Sequence, residues 1–231
     1  MRIIKLLCCV VCLLVAEMAF SQTMWKYFTP DDFAARRNKV MEKIGDGILI
    51  LQAAELPEAY MPFRQDNNFY YLTGVEIPDA VLILNGKNKE TTLLVPDYIP
   101  NDIKTEAMIK AGDEAAAEYK FSRVISKSGL TFLLNRYAFA GNTFYLQSSP
   151  QETAEMSRDR CGLTRSNRMN DPWDGRLSKE VTFYNKMKER FPATVIKDIT
   201  PIIDEMRWVK DKKEIAVIRE CGRIGSLGIN E

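Results

Sequence analysis

The spacing of apolar residues changes along the chain, and each change marks an element. Thr29-Pro30-Asp31-Asp32 has the form of a helix start, with Thr29 at the N-cap, Pro30 at the first helical position and acids in the positive first turn. Phe33, Val40, Met41 and Ile44 then share one face, and Gly45 ends the helix. Arg36, Arg37 and Asn38 read as lying away from that face. The two arginines are taken as a solvated pair, with a grip on an anion as the alternative. Ile48–Gln52 is a continuous apolar run that suits a strand buried on both faces.

In the stretch 63–74, FRQDNNFYYLTG, four polar residues from Gln65 to Asn68 lead into an aromatic and β-branched run over 69–73, which Gly74 stops. The pattern predicts a loop and then a strand. Strands over 80–84 and 91–95 flank the turn-forming segment 85–90 and pair as a hairpin, and Pro96 and Pro100 close this part. Next come helices over 103–110 and 113–119, separated by Gly112, then a brief strand at Val124 and Ile125. A helix through Leu130, Leu133 and Leu134 and a strand over 143–146 follow. Strands and helices alternating after an antiparallel pair predict an α/β fold, a mixed β-sheet flanked by helices.

Residues 147–177 show little apolar periodicity and read as a surface excursion. Arg158, Arg160, Arg165, Arg168 and Arg176 there offer an anion or subunit contact, and Trp173 an interface anchor. The plainer reading is a solvated loop with one tucked aromatic. A helix over 178–190 capped by Ser178 and a strand over 194–196 precede the punctuation at 198–201, where a domain boundary is placed. Helices over 202–209 and 212–224 follow, the second opened by Asp211 and Glu214 at capping-box spacing. Ile215, Ile218 and Ile224 form an apolar stripe, while Gly222, Gly225 and Gly228 each lower helix propensity by up to ~1 kcal/mol relative to alanine. Such a helix needs a packed partner.

The amino terminus changes the picture of where the protein works. Arg2 and Lys5 precede an apolar run, and Ala19-Phe20-Ser21 puts small residues where a signal peptidase reads, so 1–21 is an expected signal peptide cleaved before Gln22. The run is short for a bilayer span. The residues before Cys8, Cys9 and Cys12 are not small, which disfavours a lipoprotein. An exported protein, periplasmic or extracellular and without membrane contact after cleavage, is expected. Cys161 and Cys221 remain, either as one bridge or as two thiols with Cys221 buried in a helix.

Charge and composition mainly exclude. The formal net charge of +1, with basic residues scattered among acids, disfavours nucleic-acid binding. The chain has no histidine, which removes Ser-His-Asp triads, Cys-His pairs and histidine zinc sites. Carboxylate, lysine or tyrosine chemistry survives, but no convincing constellation of it is visible.

Several pieces together resemble the N-terminal part of aminopeptidase P, in the wider family that includes prolidase and creatinase. They are Phe33 with Arg36-Arg37, Gly45-Asp46-Gly47, Arg64-Gln65 through Tyr71-Leu72-Thr73-Gly74, Pro78-Asp79-Ala80, and Met206-Arg207-Trp208-Val209-Lys210 with Glu214-Ile215. The resemblance implies a two-domain exported metallopeptidase that removes an N-terminal residue preceding proline. It also implies two divalent metals, usually manganese, held by two aspartates, a histidine and two glutamates of a C-terminal catalytic domain. None of those positions lies in this chain, so it is expected to bind no cofactor and to carry no catalytic or metal residue. The expected organisation is an aminopeptidase P-like domain over 22–197, then over 198–231 a linker and the first helix of a missing catalytic domain. Proline-containing peptides, reached through the full-length enzyme, and further copies in a homo-oligomer are the expected partners. Arg64, Gln65, Asp66 and Tyr71 are candidates for a substrate rim or subunit contact. The plainer reading has the aromatics filling a sheet while Arg64 and Asp66 fix the loop. Many relatives have Trp-x-Gly after the hairpin where this chain has Met108-Ile109-Lys110, which puts any substrate contact there in doubt. The alternatives are an exported interaction module that has lost the enzyme domain, or a prolidase or creatinase relative.

Overall fold

A computed structural model describes residues 27–57, 63–97, 109–153 and 156–230. The first element, α1 (Pro30–Ile44), begins as its sequence predicts, with the Asp32 carboxylate accepting from the Thr29 amide at 2.7 Å. Its inner face is wider than predicted: Arg36 and Arg37 lie on it with Phe33, Val40, Met41 and Ile44. The solvated-pair reading is therefore wrong. Residues 36 and 37 stand three and four positions after Phe33, which is the same side of a helix.

The centre of the domain is a six-stranded sheet of β1 (Ile48–Gln52), β2 (Val81–Asn85), β3 (Glu90–Val95), β4 (Arg123–Ser126), β5 (Phe144–Leu146) and β6 (Ile196–Asp198). Its order is β4-β3-β2-β1-β5-β6. β1 pairs antiparallel with β2, in a register that sets Ile50 against Ile83, and parallel with β5, where Ile50 meets Leu146. The β2–β3 hairpin is antiparallel, and β4 and β6 join in parallel. The sheet is mixed and flanked by helices, as expected.

Alternation along β1 divides the core in two. Leu49 and Leu51 face one layer, with α1, α2 (Asn67–Thr73), α3 (Asp113–Glu118) and α7 (Thr200–Trp208). Ile48 and Ile50 face the other, with α4 (Leu130–Phe139) and α6 (Lys179–Arg190). Ile199 and Ile203 are fully buried beside α1 and α2, so α7 packs on the same core. At the hairpin tip a Cβ on Gly86 would lie 2.0 Å from the Gly45 carbonyl oxygen, so only glycine allows the turn to approach the end of α1.

Several sequence expectations are corrected. Residues 69–73 form part of helix α2 and not a strand. The surface excursion contains α5 (Arg158–Asn170), which buries only Cys161. Trp173 is 96 % exposed and not tucked, and Trp208 is 83 % exposed. Among the described residues both thiols are unpaired, but Cys161 is the buried one and Cys221 is exposed. Most of the predicted 103–110 helix lies outside the described residues, as does the expected signal peptide; Ile109 and Lys110 are not helical. The last element, α8 (Lys212–Asn230), leaves Ile218, Ile224, Leu227 and Ile229 more than half exposed. Among the described residues no helix is long and apolar enough to cross a membrane.

Candidate functional site

The FRQDNNFYYLTG stretch is built around the seven-residue helix α2, which is too short to hold itself in water. Local caps close both ends. The Asp66 carboxylate accepts from the Phe69 amide at 2.9 Å, and Gly74, at φ 65°, donates its amide to the Tyr70 carbonyl at 2.8 Å. A Cβ at Gly74 would fall 2.4 Å from the Phe33 ring, so the same glycine lets α2 meet α1.

Two carbonyls at the C-terminal end of α2 are satisfied by α1. Arg36 donates to the Tyr71 carbonyl at 3.2 Å and Arg37 to the Leu72 carbonyl at 3.0 Å. Arg37 also donates to the Tyr119 and Lys120 carbonyls at 3.2 and 2.6 Å, and its guanidinium lies 4.1 Å from the Phe121 ring centroid. Among the described residues its Nε has no hydrogen-bond partner. Burial lowers the Arg37 pKa to about 9, which still leaves it charged at neutral pH. Arg37 serves backbone carbonyls, whereas Arg36 caps the Tyr71 carbonyl and also meets the Glu214 carboxylate at 3.3 Å.

Gln65 makes a second set of links. Its Oε1 accepts from the Ala54 and Asp66 amides at 2.7 and 2.9 Å, and its Nε2 donates to the Val75 and Ile77 carbonyls at 3.1 and 3.0 Å. Asn68 donates to Gln147 at 2.9 Å and accepts from Arg207 at 2.6 Å. Arg207 pairs with Glu152, which also pairs with Arg158, and Arg158 forms a fork with Asp204. Burial opposes ionisation of Glu152, but hydrogen bonds from Arg207 and Asn67 prevail and hold its pKa at about 2. With a folded pKa below the ordinary 4.5, its stabilisation is complete above that value and fades as pH falls towards 2.

This network occupies the carboxyl edge of the parallel strands β1 and β5, where open α/β sheets commonly hold ligands. Lys179 donates to the Ala53 carbonyl there. Desolvation lowers its pKa and raises that of Asp66, whose carboxylate is already engaged by an amide. At the opposite edge a shallow polar cavity of about 340 Å³ is lined by Asp46, Lys87, Asn142, Thr143, Tyr145 and Lys197. The edge bearing the motif is a hydrogen-bonded scaffold, and among the described residues it displays no nucleophile paired with a base.

Residues 33–145 match the family described as the aminopeptidase P N-terminal domain. That stretch carries the N-terminal domain of the aminopeptidase P family. It is 29 % identical over 195 residues to a probable Xaa-Pro aminopeptidase of Fusarium vanettenii, covering 81 % of this chain and 36 % of that one. A probable Xaa-Pro aminopeptidase of Penicillium rubens is 26 % identical over 187 residues, covering 79 % and 34 %. The chain thus spans about a third of the length of the curated relatives it matches. Among solved structures, one assigned as an aminopeptidase P from Bacillus anthracis aligns at TM-score 0.63 and 23 % identity, over 84 % of this chain and 43 % of that one. Escherichia coli aminopeptidase P with the inhibitor Pro-Leu aligns at 0.54 and 20 %, over 85 % and 43 %. At those identities the likeness is one of fold.

Within the aminopeptidase P domain the four candidate contact residues separate. Arg64 is exposed, whereas Gln65 and Asp66 hold the loops around α2. Tyr71 lies at the far end of α2, half-buried beneath Arg36, and its hydroxyl donates to the Met206 carbonyl at 3.2 Å. Arg36, Arg37, Asn68, Glu152 and Arg207 do more of the joining than sequence reasoning assigned to them. Among the described residues no group of three or more His, Cys, Asp or Glu side chains is arranged to hold an ion, and Asp66 and Glu152 are already committed. The two-metal set that the resemblance implies does not fit the described residues.

Proposed function

We propose that this chain is the N-terminal, non-catalytic part of a secreted Xaa-Pro aminopeptidase, shaping substrate access and oligomer contacts. The reading rests above all on the alignment to Xaa-Pro aminopeptidases, which runs over 195 residues and so extends well past the matched domain. An exposed apolar face on α8 supports it, since such a helix calls for a further packed surface. The two metals and the peptide chemistry belong to the rest of the enzyme. On export the signal is cleaved before Gln22. Arg64, exposed beside the scaffold, and Tyr71 are the residues assigned to a rim or subunit contact. The purified chain, supplied with manganese, is expected to hydrolyse no Xaa-Pro peptide. Turnover that disappears with a chelator would overturn the reading.

A further inference from the structure

Arg36 joins three parts of the chain. One guanidinium nitrogen caps the Tyr71 carbonyl at the end of α2, and the other lies 3.3 Å from Glu214 and 3.8 Å from Asp211 at the start of α8. The group also lies 4.2, 4.7 and 5.5 Å from the ring centroids of Tyr71, Phe28 and Phe33. Only 9 % of the Arg36 side chain and 18 % of the Glu214 side chain is exposed. A shielded, planar cation of this kind is held in one orientation, and its attraction to a carboxylate is weakly screened by salt.

Glu214 serves two purposes with its two oxygens. Oε2 accepts from the Asp211 amide at 2.8 Å, closing a capping box with the return bond from the Glu214 amide to Asp211, also 2.8 Å. Oε1 faces Arg36. The cap that starts α8 is therefore the group by which the domain holds it. The second ion pair to α1, Lys213 with Asp32 at 2.6 Å, is more open, with side chains 48 % and 25 % exposed. Exposed pairs contribute little. The joint before α8 is not restrained by packing of its own, since Val209 is 75 % exposed.

We propose that Arg36 is a positioning residue that fixes the angle at which α8 leaves the domain, by tying the end of α2 to the capping box of α8. The hydrophobic face of α8 is then presented as a rigid extension of the sheet domain. This inference does not depend on the peptidase reading, because it concerns a joint lying wholly within the described residues.

Pulsed electron-spin distance measurement tests it on the full chain. One label goes on the native, exposed Cys221 and one on a Phe132→Cys substitution in α4, with Cys8, Cys9 and Cys12 changed to serine and Cys161 left buried. The parent is expected to give one narrow distance peak. Glu214→Gln is the key variant, because glutamine keeps the reach-back bond of the capping box while losing the charge. It should lose the single narrow peak with an unchanged unfolding midpoint and helix content. Arg36→Gln should do the same, and Lys213→Gln should leave the peak narrow. A parent distribution that is already broad, a Glu214→Gln peak as narrow as the parent's, or broadening in Lys213→Gln alone would each overturn the proposal. If Arg36→Gln fails to fold, the Glu214→Gln comparison still decides.

Discussion

Helices α1 and α8 carry similar apolar stripes in sequence and meet opposite fates. The stripe of α1 includes two cations, yet Phe33, Val40, Met41 and Arg37 are all at most 1 % exposed. The stripe of α8 is uncharged, yet Ile218, Ile224 and Ile229 are 56, 57 and 86 % exposed. Periodicity names the inward face of a helix but does not say whether anything lies opposite it. Burial of α1 is decided by the sheet and by carbonyls at the end of α2, which make even a charge tolerable.

Three substitutions bear on this contrast. Phe33→Ala removes a ring packed against Gly74 and should destabilise the chain by about 3–5 kcal/mol in urea unfolding. A cost under about 1 kcal/mol would mean that α1 is not part of the cooperative core. Arg37→Met keeps most of the volume but leaves the Leu72, Tyr119 and Lys120 carbonyls without this donor, and should cost about 1–3 kcal/mol. Relief of the buried charge offsets part of that loss, so a neutral result would show that desolvation nearly cancels the three bonds. Ile224→Ser, on the exposed stripe, should move stability by less than about 0.5 kcal/mol and raise solubility, read by the same titration and by light scattering. A large loss there would erase the contrast by revealing a surface that covers α8.

The centre of the sheet was legible because β1 and β2 are almost continuous apolar runs and the hairpin turn is rich in turn formers, both local signals. Helix α2 was misread because Phe69, Tyr70, Tyr71 and Thr73 favour strands individually, whereas Asp66 and Gly74 close helical ends around them. Those two caps were present in the sequence and outweighed propensity once α1 satisfied the last carbonyls. Arg36 and Arg37 were misplaced by treating charge as a sign of solvent, although their spacing from Phe33 put them inside. Helix α5 was missed for the converse reason: with Cys161 as its one buried residue it has almost no apolar period. The scaffold around the motif was largely hidden. Its members meet over long separations, such as Arg207 with Asn68 and Asn68 with Gln147, and no local pattern records that.

The exposure of Trp173 and Trp208 gives the protein an optical property of practical value. Both indoles already stand in water in the folded state, so unfolding barely changes their surroundings, whereas a molecule settling over the α5 turn or the α7 end would shield one of them. With Trp25 replaced by phenylalanine, intrinsic fluorescence becomes a gauge of docking at those two places and stays nearly silent to melting of the core.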